Sequence, residues 1–170
     1  QHESICLITE LIFGFGRTMG LLAAMLFGST IVLPAPFFSA KATLEAISKH
    51  RCTVFYGAPT FYLKMLIELD QIEYDVSSLR KGIASAALCS PALVEKARER
   101  LNVQQFYIMY GASETSPIFC STNPNDPTDD WIGTVGTPLE HVEVKVVDAE
   151  GRIVPLNTRG ELCTRGPHVF

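Results

Sequence analysis

Hydrophobic and polar positions change along this chain in blocks rather than in one rhythm. From Thr18 to Ala40 no charged residue occurs, a length that could span a bilayer. Gly20, Gly28, Ser29, Thr30, Pro34 and Pro36 interrupt that run. They divide it into a helix-like piece, Leu21 to Phe27, and a β-like piece, Thr30 to Leu33, which argues against a membrane span. After Leu33 the blocks alternate. The pattern predicts an amphipathic helix from about Ser39 to His50, a β-branched and aromatic strand from Cys52 to Tyr56, and a helix from Pro59, whose missing N–H costs nothing in a first turn. A further strand is predicted at Ile83 to Ala87. Next come a helix capped by Ser90 with Pro91 at its first position and an aromatic strand from Gln105 to Tyr110. Repeated strand and helix imply a parallel sheet.

Beyond Ser121 helical periodicity stops. A polar loop over 123–130 leads to Val142, Val144 and Val146 alternating with Glu143 and Lys145, the pattern of a half-buried strand. A turn at Glu150 and Gly151 precedes another short strand from Gly160 to Arg165. The expected fold is α/β: a parallel-sheet α/β layer over residues 1–128, then the start of a small antiparallel β subdomain over 129–170.

Composition adds exclusions. The chain has 170 residues, 47% of them hydrophobic and 19% charged, which is globular composition and rules out disorder. A net charge of -4 with scattered Lys and Arg provides no basic stripe, so nucleic acid is not an expected partner. Cys6, Cys52, Cys89, Cys120 and Cys163 lie far apart without a CxxC and read as buried thiols in a reducing compartment. No initiator Met and no targeting leader is present, and the chain is expected to be an internal piece of a longer protein.

The stretch Phe106 to Ser116 concentrates candidate chemistry, because a buried-looking strand runs into a small, hydroxyl-rich loop with a carboxylate. In a parallel sheet, ligands bind at the carboxyl ends of strands. Tyr110 offers an aromatic face for a base, Gly111 close backbone approach, Ser113 a hydroxyl for phosphate, and Glu114 a carboxylate for Mg²⁺. The same residues fit a plainer account: a core aromatic, a turn, and a helix-start cap at Ser113 and Glu114. Walker, HExxH and GxSxG patterns are absent, as is metal-ligand spacing of Cys or His. Gly14-x-Gly16 lacks the third glycine of a dinucleotide fingerprint and reads as a loop. His2, His50, His141 and His168, and Asp129 with Asp130, read as solvated surface.

Several motifs together carry a resemblance. Tyr110-Gly-Ala-Ser-Glu114 resembles the YGxTE motif of the adenylate-forming superfamily of acyl-CoA synthetases, luciferases and peptide-synthetase adenylation domains. Tyr56-Gly-Ala-Pro-Thr60 resembles its aromatic-G-x-P-T junction, and Gly28 to Leu33 the glycine and strand that precede it. Gly133 to Pro138 is similar to its GxxGxP element, and Gly160 to Gly166 to its GEL-x-x-RG element. These motifs stand in the family's order over nearly the whole chain, which places the uncharged segment in a folded core. Leu44 to Lys49, the Tyr56 junction and Gly160 to Cys163 are most similar to mitochondrial medium-chain acyl-CoA synthetases.

The resemblance implies an acid–thiol ligase: ATP and a carboxylic acid, a medium-chain fatty acid in this branch, give an acyl-adenylate, which coenzyme A converts to a thioester. It implies that Tyr110 stacks on adenine, with the backbone of Ser85, Ala86 and Ala87 on the other face. Gly111 and Ala112 would line the passage to the acid, Ser113 would bond the α-phosphate, and Glu114 would hold Mg²⁺. Phe13 and Tyr56 are the candidates for the acyl pocket, and the compartment implied is the mitochondrion. The chain departs from the family in three places: Ser113 replaces Thr, the segment Ala86-Ala87-Leu88 replaces Gly-Ala-Pro, and Phe13 stands where many fatty-acyl relatives have His. The family's phosphate loop would precede Gln1 and its ribose-binding Asp and catalytic Lys would follow Phe170, so the chain alone is expected to be inactive. The alternatives are an adenylation domain or aryl-CoA ligase, and a non-catalytic nucleotide-binding relative.

Overall fold

Capping side chains set the helix starts. The computed structural model describes residues 2–123, 125 and 133–170. A π-helix, Phe15–Leu22, runs directly into a single turn, α1 (Ala23–Leu26). Ser39 then caps α2 (Ala40–His50) by accepting the Ala42 N–H at 3.3 Å. Pro59 opens α3 (Pro59–Leu69) at its first position, where its fixed φ suits a helix. Ser90 accepts the Leu93 N–H at 3.3 Å and Pro91 begins α4 (Pro91–Arg100), as the sequence predicts.

Between these helices run β1 (Ser4–Leu7), β2 (Thr30–Val32), β3 (Val54–Gly57), β4 (Lys81–Ala84) and β5 (Gln105–Tyr110). They pair in the order β2-β1-β3-β4-β5, all parallel. Two short strands, β6 (Cys120–Ser121) and β7 (Thr137–Pro138), extend that sheet antiparallel beyond β5. A separate antiparallel pair follows, β8 (Glu143–Val147) with β9 (Glu161–Arg165). The expected α/β fold with a small antiparallel unit is therefore the fold observed. The expected boundary between residues 128 and 129, and Asp129 with Asp130, fall outside the described residues. Beyond that boundary β7 still pairs with the main sheet, and among the described residues β8 and β9 form a sheet of their own.

Two expectations change. Gly14-x-Gly16 is not a loop: Gly14 sits at the N-cap of the π-helix and Gly16 is buried within it. A Cβ at Gly16 would lie 2.4 Å from the Glu10 carbonyl oxygen, and one at Gly20 2.5 Å from Leu7 Cδ1, so these glycines let the helix press against the end of β1. The strand expected from Ile83 to Ala87 begins at Lys81 and stops at Ala84, because Ala86 adopts φ +73°, a left-handed backbone that no strand continues.

The core lies between the sheet and α2, α3 and α4, where Leu44, Ile47, Phe55, Met65, Val94 and Phe106 are fully buried. Tyr62 sits at its centre. Its hydroxyl lies 3.1 Å from both the Phe55 and Ile83 carbonyl oxygens, and its ring meets Phe55 edge-on at 4.9 Å and Phe106 at 5.0 Å. Burial pushes this phenol well above its ordinary pKa, so it stays a donor. At the amino ends of the strands, Glu3 accepts from Thr53, Arg80 (2.7 Å) and Lys81 (2.9 Å), tying β1, β3 and β4 together. Among the described residues no helix is long and apolar enough to cross a membrane.

Along the outer side, Met25, Leu26, Phe27 and Leu33 are exposed next to β2, the edge strand. Contiguous apolar surface beside an open edge favours association. The isolated chain is expected to elute above its monomer mass in gel filtration and to return to that mass in mild detergent. In the longer protein, Tyr62→Phe is expected to lower unfolding free energy by about 1–2 kcal/mol, the cost of leaving buried carbonyls short of a donor, read from the denaturation midpoint.

Candidate functional site

Adjacent parallel strands β4 and β5 end side by side, with Ala84 paired to Ile108. Past β4 the chain turns through Ser85 to Cys89, and past β5 it turns at Gly111. The gap between the two turns is a cleft of about 310 Å³, lined also by Thr134 and Val135. This is the carboxyl end of a parallel sheet, where loops diverge and ligands bind.

Tyr110 stands at the mouth, 41% exposed, with Phe119 packed edge-on against it at 5.3 Å. That contact holds the ring while leaving part of it open. Gly111 is required by close approach: a Cβ there would lie 2.2 Å from the Pro117 carbonyl oxygen and 2.4 Å from Ile118 Cα. The loop doubles back tightly enough for the Phe119 N–H to reach the Tyr110 carbonyl at 3.0 Å.

A single 3₁₀ turn, Ser113–Thr115, follows. The cap is made by Thr115 rather than by Ser113 and Glu114: the Ala112 N–H donates to Thr115 Oγ1 at 2.9 Å, and that hydroxyl donates to the Ala112 carbonyl at 2.9 Å. Thr115 is buried while Ser113 and Glu114 are exposed, so the turn presents a hydroxyl and a carboxylate to solvent. Among the described residues no group of three or more His, Cys, Asp and Glu could enclose a metal. One exposed carboxylate suits Mg²⁺, a hard cation that keeps most of its ligands as water and phosphate oxygens.

A second pocket, about 210 Å³, opens beside the first, with Ile8, Phe13, Phe38, Ala58, Phe61 and Ala86 in its wall. Phe38 and Phe61 stack face to face at 4.0 Å and make that wall stiff. The structure therefore gathers Ser85, Ala86, Ala87, Tyr110 and Gly111 in the larger cleft, carries Ala112, Ser113 and Glu114 on the loop beyond Gly111, and places Phe13 in the smaller pocket. Tyr56 is not in that wall. It is 7% exposed, with its ring 5.8 Å from Phe15, and burial pushes its phenol above the ordinary range.

Leu88, Cys89, Thr134 and Val135 join the cleft without having been singled out as site residues. The GxxGxP element at 133–138 was the available signal for Thr134 and Val135; Phe38 and Phe61 had none. Burial pushes the Cys89 thiol up to about 11, which makes it a wall and not a nucleophile. Nor is His168 the solvated residue expected from sequence. It is half-buried, 3.0 Å from Thr164 Oγ1 and 6.2 Å from the Phe119 ring, and the Phe170 N–H reaches the Glu114 carbonyl at 3.4 Å. Phe170 thus touches the Glu114 turn through one backbone bond.

Comparison with known proteins agrees with this geometry. The model of the AMP-binding enzyme family matches residues 1–170. The chain is 39% identical over 167 residues to the mitochondrial medium-chain acyl-CoA ligase ACSF2 of Danio rerio, covering 98% of this chain and 28% of that protein. It is 35% identical over 166 residues to the acyl-CoA ligase sidI of Aspergillus fumigatus, again covering 98% and 28%. Among solved structures, the anthranilate CoA ligase AuaEII in complex with anthranoyl-AMP superposes with a TM-score of 0.89 at 30% identity, over 99% of this chain and 32% of that one. The benzoate CoA ligase of Burkholderia xenovorans LB400 gives 0.88 at 25% identity, over 99% and 34%. The chain thus spans 28% of the length of these two curated relatives.

Because a side chain at Gly111 would meet backbone and not a movable side chain, Gly111→Ala in the longer protein is expected to cost about 2 kcal/mol or more. The unfolding midpoint and the loss of Tyr110 near-ultraviolet dichroism would report it.

Proposed function

We propose, since the chain belongs to the AMP-binding enzyme family, that it carries the nucleotide and acid walls of a ligase joining a carboxylic acid to coenzyme A. The observation that supports this most directly is the pair of neighbouring cavities at the carboxyl ends of the strands, one beside an exposed tyrosine and the other mainly apolar with Thr9 and Glu10 in its wall, meeting at Ala86. In this reading adenine stacks on Tyr110, with the turn at Ser85, Ala86 and Ala87 against its other face. The acid's hydrocarbon occupies the apolar pocket beside Phe13, and its carboxylate points toward the cleft.

Ser113 would donate to a nonbridging oxygen of the α-phosphate, and Glu114, exposed on the same turn, would hold Mg²⁺. When bound, Mg²⁺ would neutralise the charge of the nucleotide phosphates. A carboxylate oxygen attacks the α-phosphorus, the bond from that phosphorus to pyrophosphate breaks, and acyl-adenylate forms. The thiol of coenzyme A, having lost its proton, then attacks the acyl carbonyl, AMP leaves, and a thioester remains. Gly111 and Ala112, with no side chain beyond a methyl, keep the path between nucleotide and acid narrow but open.

The acid proposed is a medium-chain fatty acid and the compartment the mitochondrion, on the likeness to the ACSF2 ligases. Aryl acids are a second reading, favoured by the stacked Phe38 and Phe61 in the pocket wall and by the likeness to anthranilate and benzoate ligases. The partners proposed are small molecules: the acid, ATP and coenzyme A.

The test is acid-dependent pyrophosphate release by the longer protein, with ATP, Mg²⁺ and a panel of aliphatic and aryl carboxylates. Glu114→Gln and Ser113→Ala are each expected to lower kcat about a hundredfold, while Tyr110→Ala raises the KM for ATP. Measurable ATP binding with no release for any acid would replace this reading with that of a non-catalytic nucleotide-binding relative.

A further inference from the structure

Ala86 holds a position that its size and its backbone make consequential. Among the described residues it is the one shared by the walls of the 310 Å³ cleft and the 210 Å³ pocket. Its φ of +73° is one that glycine adopts freely and that costs any other residue about 1–2 kcal/mol. The backbone alone would be served better by glycine. What the alanine adds is one methyl group, on the residue that the two cavity walls share.

Ala86, Ala87 and Leu88 are themselves exposed, on a short turn whose two ends are anchored in the core. Ala84 is fully buried on one side, Ser85 is 8% exposed, and Cys89 is 2% exposed on the other. The pocket wall is stiffened by the stacked rings of Phe38 and Phe61. A turn pinned at both ends, facing a stacked aromatic wall, moves aside less readily than a free loop when a ligand carries an extra methyl.

We propose that Ala86 is a specificity-determining residue that restricts the acid to those unbranched at the carbon next to the carboxyl. The inference rests on the acid-activating reading above. If nucleotide occupies the larger cavity and the acid's body the smaller, the reacting carboxylate lies at their junction, and the carbon bearing it comes against the Ala86 wall. Two hydrogens on that carbon fit beside a methyl, whereas a methyl substituent competes with it for the same space. A single methyl group in such a pocket discriminates by roughly 10–200-fold.

The experiment compares kcat/KM for pyrophosphate release by the longer protein, using the straight-chain acid that the wild type accepts best and its α-methyl counterpart. Wild type is expected to prefer the straight chain by at least about tenfold. Ala86→Gly, which relieves the backbone and so folds without difficulty, is expected to raise the ratio of branched to straight kcat/KM about tenfold. Ala86→Ser, one atom larger, is expected to lower that ratio. A ratio that stays constant across the three proteins, with both acids rising or falling together, overturns the role of Ala86 and leaves the ligase reading intact. A wild type that releases pyrophosphate with no acid overturns the ligase reading and this inference with it.

Discussion

The buried hydroxyl of Tyr62, shared between the carbonyl oxygens of Phe55 and Ile83, is the contact on which the arrangement around it depends. Those carbonyls belong to neighbouring parallel strands, and the hydroxyl comes from the helix that crosses over them. One side chain therefore fixes the height of α3 against both β3 and β4. A parallel sheet buried on its faces has no solvent to satisfy a misplaced polar group, so a phenol at this depth must find its acceptors or be lost. Gly82 is small for the same reason, since a Cβ there would lie 2.9 Å from the Tyr62 hydroxyl and 2.7 Å from Val103. Anchored in this way, the strands end at defined points, and the turns beyond Gly57, Ala84 and Tyr110 are held by the core rather than by their own flexible backbones.

Helices α2, α3 and α4 and strand β5 were legible in the sequence because each carries a local signal strong enough to stand alone. Ser39, Pro59 and Ser90 mark helix starts through bonds or dihedrals confined to a few residues. The apolar-polar alternation of β8 reflects a strand with one face exposed. β1 had no such mark. Its four residues, Ser4–Leu7, are nearly all buried, and a short apolar run without alternation does not distinguish strand from helix or loop. β6 and β7, two residues each, owe their existence to β5 and to the buried Thr122 hydroxyl that accepts the Ile108 N–H at 2.8 Å. Both are contacts across the sheet that no local pattern announces.

The candidate site divides along the same line. Tyr110, Gly111, Ser113 and Glu114 follow one another at a strand end, so topology alone brings them to the rim. Tyr56 also lies near a strand end, one residue before Gly57, and by that logic pointed to the pocket. Tyr56 is buried, however, and packs against Phe15, which itself lines the pocket, so it backs that wall from the core instead of facing the cavity. Phe38 and Phe61 enter the pocket from a loop and a helix far apart in sequence, and only the folded chain shows that they stack.

Ala86 joins these two levels. Local chemistry argues against a non-glycine residue at φ +73°, and a conflict between local preference and the fold is where function is to be sought. The strain is about as large as the discrimination that one methyl can exert in a stiff pocket, so a modest loss in folding free energy and a useful gain in selectivity are of the same order. The neighbouring departure is of another kind. Leu88, largely exposed in the cleft wall, costs the backbone nothing and adds apolar surface beside the position proposed for adenine. Ala86 carries its methyl at a cost to the fold, and it is the residue whose presence asks for a reason in the chemistry.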